Sequence, residues 1–272
     1  MHLPVRIKLS VMMFLQFAIW GSWFVTTSTY LQAVGFDGLQ IGAAYSTMNW
    51  GAIIAPIVAG AFADRFFQAQ KVMGVLHLVG AGLLWWISSI TEPGAFFWAL
   101  LTYALCYMPT LGLANAISFH QMRDPAQDFP GIRVMGTLGW IAVGVAVGTA
   151  APHIFGKSIE PTNLPLKLGA ALSVLLGVYA FFLPSTPPAN AGTRPTLAQG
   201  FIHVVTYGVG QLIGSWAAGA VVNRYTLATD AGTQHLWQVI WLIPAVMAFV
   251  VMALFMVFFR DPPVPPSASA RP

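Results

Sequence analysis

Charged residues are scarce in this chain of 272 residues, because Asp, Glu, Lys and Arg together make up 7% of it, whereas 57% is hydrophobic. The mean hydropathy is +0.72. A water-soluble domain of this length needs a far more polar surface. The composition therefore excludes a soluble globular protein and predicts an integral membrane protein.

Cysteine is nearly absent as well, and Cys106 is the single one. One cysteine excludes an intrachain disulfide and a cysteine-rich metal site, and we interpret Cys106 as a small apolar packing residue. The sequence also lacks HExxH, Gly-x-Ser-x-Gly and a pair of Asp residues within an apolar run, which are signatures of enzymes. No enzymatic activity, cofactor or metal is predicted.

Eight apolar runs are long enough to cross a hydrocarbon layer of ~30 Å as helices of ~20 residues. These predicted spans 1 to 8 extend over residues 9–31, 41–63, 72–90, 95–119, 132–151, 166–183, 197–222 and 236–259. The first run is longer than a signal-peptide core and is not followed by a small-residue cleavage site, so it is predicted to be retained. The sequence predicts an all-α polytopic membrane protein with eight transmembrane helices.

The basic residues stand singly at the ends of these runs, which argues against a nucleic-acid-binding patch despite the pI of 9.4. With a cytoplasmic amino terminus, nine of the 12 Lys and Arg residues fall on the cytoplasmic side. The three on the other side are Lys157, Lys167 and Arg224. Because positive charge is retained inside, both termini are predicted to be cytoplasmic.

Arg133 lies near the predicted start of span 5, where a short polar loop from Asp128 is expected to turn into an apolar helix. A guanidinium at membrane depth costs at least ~2.5 kcal/mol on insertion scales, so it usually faces a bundle interior or a watery cavity. Alternatively, Arg133 lies at the interface and reaches lipid phosphate. Gly136 and Gly139 thin one side of the helix, which favours the cavity. Thr137 lies one turn beyond Arg133 on the same face.

Several stretches resemble a known family. Between spans 2 and 3, Gly60-Ala61-Phe62-Ala63-Asp64-Arg65 resembles the Gly-x-x-x-Asp-Arg loop of the major facilitator superfamily, although such a pair is also common as a solvated ion pair. Together with residues 12–24, 64–72, 107–115 and 128–140, it resembles the bacterial nucleoside:proton symporter family within that superfamily. The similarity covers residues 5–190 and 198–260.

The resemblance implies a major-facilitator-like helix bundle in the bacterial inner membrane that takes up a nucleoside together with protons. It also implies substrate-binding roles for Arg133 and Thr137, which match an arginine and a threonine of the family's fifth span, and a gating role for Asp64 and Arg65. Asn115 lies in the similar stretch of span 4, and we predict that it also binds substrate.

Gln16 is a further candidate, because Trp20 and Trp23 follow it at i+4 and i+7 on one helical face. An amide beside indole rings suits a nucleobase, and we predict that Gln16 and Trp20 line one cavity with Arg133 and Thr137. An aromatic-belt position for Trp23 and a lipid-facing position for Trp20 fit equally well. His77 and His203 could exchange protons, but packing histidines are commoner.

The chain also departs from the family, whose members have twelve spans in two six-helix halves. Residues from 197 onward resemble spans eleven and twelve, so spans seven to ten are expected to be missing, with the join between residues 188 and 194. The predicted organisation is a six-helix amino-terminal half (1–184), a cytoplasmic linker (185–196), a two-helix segment (197–260) and a disordered tail (261–272).

Two functions remain open. The chain is either a nucleoside transporter with impaired transport, because half of its substrate site is missing, or a non-transporting remnant or membrane assembly partner. None of the eight Asp and Glu residues lies in the middle of a span, so a carboxylate proton relay is not expected. Homodimerisation would cover the inner face that a second half covers in the family.

Overall fold

The computed structural model describes residues 2–58, 67–188, 209–229 and 232–259, without the side chains of 55–58, 228–229 and 232–235. The chain divides into two compact units, residues 1–219 and 220–272. In chain order the described elements are α1 (Leu3–Trp23), α2 (Thr27–Ala33), α3 (Gly38–Val58), α4 (Ala69–Ile87), α5 (Pro93–His120), α6 (Pro125–Val145), a π-helical turn (Ala146–Ala150), α7 (Ala151–Phe155), α8 (Leu164–Ala180), α9 (Gln211–Arg224), β1 (Thr226–Thr229), β2 (Gly232–His235) and α10 (Trp237–Phe258).

Five described helical stretches are long and apolar enough to cross a membrane. They are Leu3–Ala33, Ala69–Ile87, Pro93–His120, Pro125–Phe155 and Trp237–Phe258. Of the remaining predicted spans, span 2 contains α3, span 6 contains the 17-residue apolar helix α8, and span 7 contains α9. The predicted fold class, an all-α polytopic membrane protein, is confirmed.

The start of span 5 differs from its prediction. Residues 128–131 were expected to form a polar loop, but α6 already begins at Pro125. The carboxylate of Asp124 accepts hydrogen bonds from the amides of Ala126 and Gln127, at 3.1 and 3.4 Å, and Pro125 occupies the first turn. Such a cap followed by proline starts a helix efficiently, and the ring of Pro130 removes only one later hydrogen bond. Arg133 therefore lies inside a helix that already has two turns behind it.

The six main helices of the first unit pack in a symmetric pattern. The packing of α1 on α6 corresponds to the packing of α5 on α3. In the same way, α4 packs on α5 and α8 packs on α1, and the two corresponding helices α4 and α8 pack on each other. Exchanging α1, α3 and α4 with α5, α6 and α8 therefore leaves the main packing contacts unchanged. This exchange symmetry is what two three-helix repeats produce in secondary transporters.

Glycines allow the closest helix crossings. A Cβ atom on Gly139 of α6 would overlap the carbonyl oxygen of Phe14 in α1. In the equivalent crossing of α3 and α5, a Cβ on Gly51 would lie 2.8 Å from the Cβ of Ala104. Small residues at these points let helix backbones approach, which is the main packing device inside a membrane.

The first residues of the predicted linker form hydrogen bonds with the neighbouring helices. The amide of Thr186 donates to the side chain of Gln70 at 2.9 Å, and Gln121 donates to the carbonyl of Ser185 at 3.2 Å. Residues 189–208 and 260–272, which hold the rest of the linker and the tail, lie outside the described residues. The predicted division of the chain stays a prediction.

The seventh predicted span has one described polar contact with the bundle. The side-chain amide of Asn49 in α3 donates to the hydroxyl of Ser215 in α9 at 3.0 Å, and both residues belong to the first unit.

The second unit contains an antiparallel hairpin that the sequence did not predict, in which Thr226 pairs with His235 and Thr229 with Gly232. α10 follows it, and Ile240 is the single buried residue among those described in this helix. A helix that is apolar on every side and little buried by protein needs a lipid environment.

Candidate functional site

Arg133 lies where α6 crosses α1. Its Cζ atom is 4.2 Å from the centroid of the Phe17 ring, so the guanidinium stacks on the ring face. Gly136 makes room for this contact, because a Cβ atom there would lie 2.6 Å from the Phe17 ring and 3.0 Å from an Arg133 nitrogen. The side chain of Arg133 is partly buried, and among the described residues it has no ion-pair partner. The positive charge therefore lies against a ring and has no carboxylate opposite it in the described part of the chain.

Beside Arg133, five partly buried rings form a continuous group, which we call the aromatic cluster. Its members are Phe17, Trp20, Phe24, Tyr45 and Trp140. Trp20 contacts Trp140 and Phe24 edge-on, with centroids 5.4 Å apart in each pair. Phe24 contacts Tyr45 at 5.0 Å, and the Tyr45 hydroxyl donates to the Phe24 carbonyl at 2.7 Å. The cluster therefore joins α1, the α1–α2 turn, α3 and α6.

The chemistry of this surface is defined by rings that are only partly covered, next to a fixed cation. Ring faces and edges attract flat aromatic molecules, and a guanidinium offers several donors to carbonyl or hydroxyl oxygens. Thr137 is exposed one turn beyond Arg133 and adds a hydroxyl. Among the described groups, the indole nitrogen of Trp20 is buried without an acceptor.

Gln16 lies elsewhere, in a fully buried polar network. Its side-chain nitrogen donates to the hydroxyl of Thr110 at 2.8 Å, and its side-chain oxygen is 2.9 Å from Nε2 of His77. Thr110 in turn donates to the carbonyl of Tyr107 at 2.6 Å, and the Tyr107 hydroxyl donates to the Gln16 carbonyl at 2.6 Å. Three helices, α1, α4 and α5, are thereby linked inside the bundle.

The orientation of the Gln16 amide determines which tautomer of His77 fits the network. Since the Gln16 amide nitrogen donates to Thr110, its oxygen must accept from His77, whose Nε2 therefore carries the proton. Both polar atoms of the Gln16 side chain thus have a partner inside the network. Gln16 is enclosed in this network, whereas Trp20 and Arg133 meet through Phe17. Whether Gln16 binds substrate stays a prediction. His77 has the packing role that was the commoner alternative.

The other predicted site residues fall into two groups. Asn115 is partly buried in α5, and its side chain makes no hydrogen bond within the described part of the chain. Asp64, Arg65 and His203 lie outside the described residues. Whether Arg133, Thr137, Trp20 or Asn115 binds substrate stays a prediction, and so does the gating role of Asp64 and Arg65.

Sequence reasoning missed four members of the cluster: Phe17, Phe24, Tyr45 and Trp140. A signal existed for two of them, because Phe17, Trp20 and Phe24 are spaced by three and four residues and so form one stripe on a helix. Tyr45 and Trp140 join the stripe only through the packing of α3 and α6 on α1, which no spacing reveals. No group of three or more His, Cys, Asp or Glu residues among the described ones is arranged to hold a metal ion.

Comparison with known proteins identifies the family. The nucleoside H+ symporter family matches residues 3–196 and 193–263, nearly the whole chain. The chain belongs to the nucleoside H+ symporter family. The two matched segments meet at residues 193–196, next to the join predicted between residues 188 and 194. The resemblance seen in the sequence motifs is confirmed.

The curated relatives in the nucleoside H+ symporter family are longer than this chain, and the matching segment covers less than half of each. The putative nucleoside transporter YegT of Escherichia coli (strain K12) is 50% identical over 186 residues, which are 68% of this chain and 44% of that protein. Xanthosine permease of the same organism is 36% identical over 202 residues, 72% of this chain and 47% of the permease. The chain spans about half the length of the curated relatives it matches.

A solved structure supports the fold of this family. The crystal structure of the nucleoside transporter NupG matches with a TM-score of 0.66 and 32% sequence identity over 79% of this chain and 53% of that chain. The D323A mutant of NupG gives a TM-score of 0.64, again at 32% identity, over 76% of this chain and 51% of that chain. The bundle described above is therefore the fold of a transporter, present here over part of its length.

Proposed function

We propose that the chain provides one wall of a nucleoside site in the bacterial inner membrane, formed by Arg133, Thr137 and the aromatic cluster. The observation that carries this proposal is the Arg133 guanidinium stacked on Phe17, 4.2 Å from its centroid, beside four more partly covered rings. A nucleobase stacks on or packs against rings, and base carbonyls and ribose hydroxyls accept from a guanidinium. Relatives named as nucleoside transporters or permeases support the choice of ligand.

A nucleoside site that has only one of its walls binds its ligand weakly. A buried polar group of the ligand left without its partner costs about 1–3 kcal/mol, so two or three missing contacts lower affinity by two decades or more, at ~1.4 kcal/mol per tenfold. Proton coupling is also poorly supported, because none of the eight acidic residues lies mid-span and His77 is enclosed in the Gln16 network. We therefore propose weak nucleoside binding, and weak or absent proton-driven uptake by this chain alone.

The test measures binding and uptake separately. The purified full chain in lipid nanodiscs is titrated with labelled uridine and adenosine, alongside Arg133→Lys and the matched control Arg123→Lys, which alters an exposed arginine outside the cluster. Lysine cannot reproduce the flat donor array of arginine. Arg133→Lys should weaken binding by roughly tenfold, the equivalent of one charged hydrogen bond. Arg123→Lys should change nothing.

Three results would change this proposal. Equal affinities of Arg133→Lys and Arg123→Lys would remove Arg133 from the site. Strong uptake into liposomes driven by a proton gradient would show that these helices suffice for transport. A correctly folded chain that binds neither nucleoside would favour the alternative, a non-transporting remnant or assembly partner.

Orientation is proposed from the charge distribution, with both termini in the cytoplasm. In a Cys106→Ala background, single cysteines replace His2 and Ser158, which the proposal places on opposite sides of the membrane. A membrane-impermeant maleimide added to intact cells should label the cysteine at position 158 and leave position 2 unlabelled. Labelling at position 2 alone would reverse the orientation.

A second copy of the chain is proposed as the cover of the aromatic cluster, since members of the family with two halves enclose this face and a homodimer would do so with identical ones. Mass photometry in nanodiscs should find two chains per disc at a high protein-to-disc ratio. Alanine at Trp140 should reduce that fraction more than alanine at Trp98, a 67% exposed residue of α5. One chain per disc under all loadings would refute the dimer.

A further inference from the structure

A groove separate from the aromatic cluster runs along the first half of α1, on its flank beside α6. It has a volume of about 410 Å³. Six apolar side chains and two polar ones line it: Leu3, Ile7, Val11, Phe14, Leu15 and Met135, with Arg6 and Ser10. Leu3, Ile7 and Val11 are 69%, 54% and 38% exposed, so the groove is open toward its surroundings. None of its lining residues belongs to the cluster.

Arg6 is the single charged residue of this groove. Its Nη2 atom lies beside Gly131 of α6, where an added Cβ would be 3.0 Å away, so the guanidinium extends from α1 across to α6. Arg6 is exposed and has no ion-pair partner among the described residues. The neighbouring cation, Lys8, is already engaged, because its Nζ donates to the carbonyl of Phe182 at 3.1 Å. Among the described residues, Arg6 is therefore an unpaired positive charge at one end of the apolar groove.

The dimensions and position of the groove match one leaflet of a bilayer. Its lining on α1 runs from Leu3 to Leu15, and twelve steps of ~1.5 Å make it ~18 Å long. One leaflet contributes ~15 Å of hydrocarbon. Since the membrane-crossing stretch itself begins at Leu3, Arg6 lies within its first turn, near headgroup level.

We propose that this groove binds an anionic phospholipid, with the headgroup phosphate on Arg6 and one acyl chain along Ile7, Val11 and Phe14. The cation selects the headgroup and the apolar lining selects the chain. Basic pockets between membrane helices bind anionic headgroups in this way. The proposal does not depend on nucleoside binding, because the groove and the cluster share no residue.

The experiment is native mass spectrometry of the full chain, delipidated in detergent and titrated with phosphatidylglycerol or phosphatidylcholine. Three variants are compared with the wild type. Arg6→Gln removes the charge, Arg123→Gln removes an exposed charge outside the groove, and Ser10→Phe fills the groove without changing charge. Circular dichroism and size-exclusion chromatography establish that each variant is folded. A further arm adds excess glycerol phosphate, which carries the phosphate without acyl chains.

The wild type should bind phosphatidylglycerol more tightly than phosphatidylcholine, and Arg6→Gln should lower the affinity for phosphatidylglycerol by roughly fivefold, the usual effect of one basic residue at an anionic surface. Arg123→Gln should keep the preference, and Ser10→Phe should weaken both lipids. Equal effects of Arg6→Gln and Arg123→Gln would overturn the proposal, since net charge alone would then explain the preference. Displacement of the lipid by glycerol phosphate would assign the site to a free phosphate compound instead.

Discussion

The guanidinium of Arg133 in α6 lies over the ring of Phe17 in α1, with 4.2 Å between Cζ and the ring centroid. This contact explains how an arginine is accommodated inside an apolar helix without a carboxylate partner among the described residues. The ring face carries partial negative charge, and Gly136 leaves space for the stack. The same contact connects Arg133 to Trp20, whose ring centroid is 6.4 Å from that of Phe17.

The first prediction concerns the energy of this stack. A double-mutant cycle of Arg133→Gln and Phe17→Leu should give a coupling free energy of about 0.5–2 kcal/mol, the range of cation–π pairs between exposed and desolvated sites. It is measured from the free energies of unfolding in mixed detergent micelles. Arg133→Gln paired with Trp98→Leu, at an exposed ring of α5, serves as the control and should show no coupling. Coupling near zero in both cycles would contradict the stacking.

The second prediction separates packing from binding at Gln16. Gln16→Leu leaves the Nε2–H of His77 buried without an acceptor, which costs about 1–3 kcal/mol of unfolding free energy. Gln127→Leu, at an exposed glutamine of α6, should be nearly neutral. The nucleoside affinity of the folded Gln16→Leu protein should equal that of the wild type. A selective loss of affinity without loss of stability would instead return Gln16 to the binding site.

Gln16 and Phe17 show what the sequence could and could not predict. The spans, their order and the family were readable because long apolar runs and motif stretches are local features. Which side of α1 faces inward was not readable, since its few polar residues do not form one stripe that would orient the helix. Gln16 and Phe17 are neighbours in the sequence, yet Gln16 lies in the core and Phe17 at the partly covered surface. Only the packing of α4, α5 and α6 decides between them.

A third prediction tests the closest helix crossing. Gly139→Ala places a methyl group on the carbonyl oxygen of Phe14, so α1 and α6 must separate, and overpacking of this kind costs about 1–3 kcal/mol. Gly144→Ala, five residues further along α6, has open space within 4 Å and should be neutral or slightly stabilising. Thermal unfolding followed by tryptophan fluorescence distinguishes them. Equal midpoints for the two variants would mean that the crossing tolerates a wider spacing.

The last prediction concerns pH and the start of α5, outside the membrane-spanning segments. The carboxylate of Glu92 accepts hydrogen bonds from the amides of Ala95 and Gly94, at 2.5 and 2.8 Å, and these bonds lower the pKa of Glu92 below its ordinary value of 4.5. A group whose pKa is lower in the folded state stabilises that state above its unfolded pKa, and this contribution is lost as pH falls through the folded pKa. The midpoint of unfolding should therefore decrease as the pH is lowered from 6 to 3. Glu92→Gln should have a lower midpoint at pH 6 and a smaller decrease on acidification, whereas Glu160→Gln, which removes a carboxylate that accepts no described hydrogen bond, should follow the wild type. An acid-induced decrease that is the same in Glu92→Gln and the wild type would show that other groups govern the pH dependence, because only the cap at Glu92 couples its ionisation to the first turn of α5.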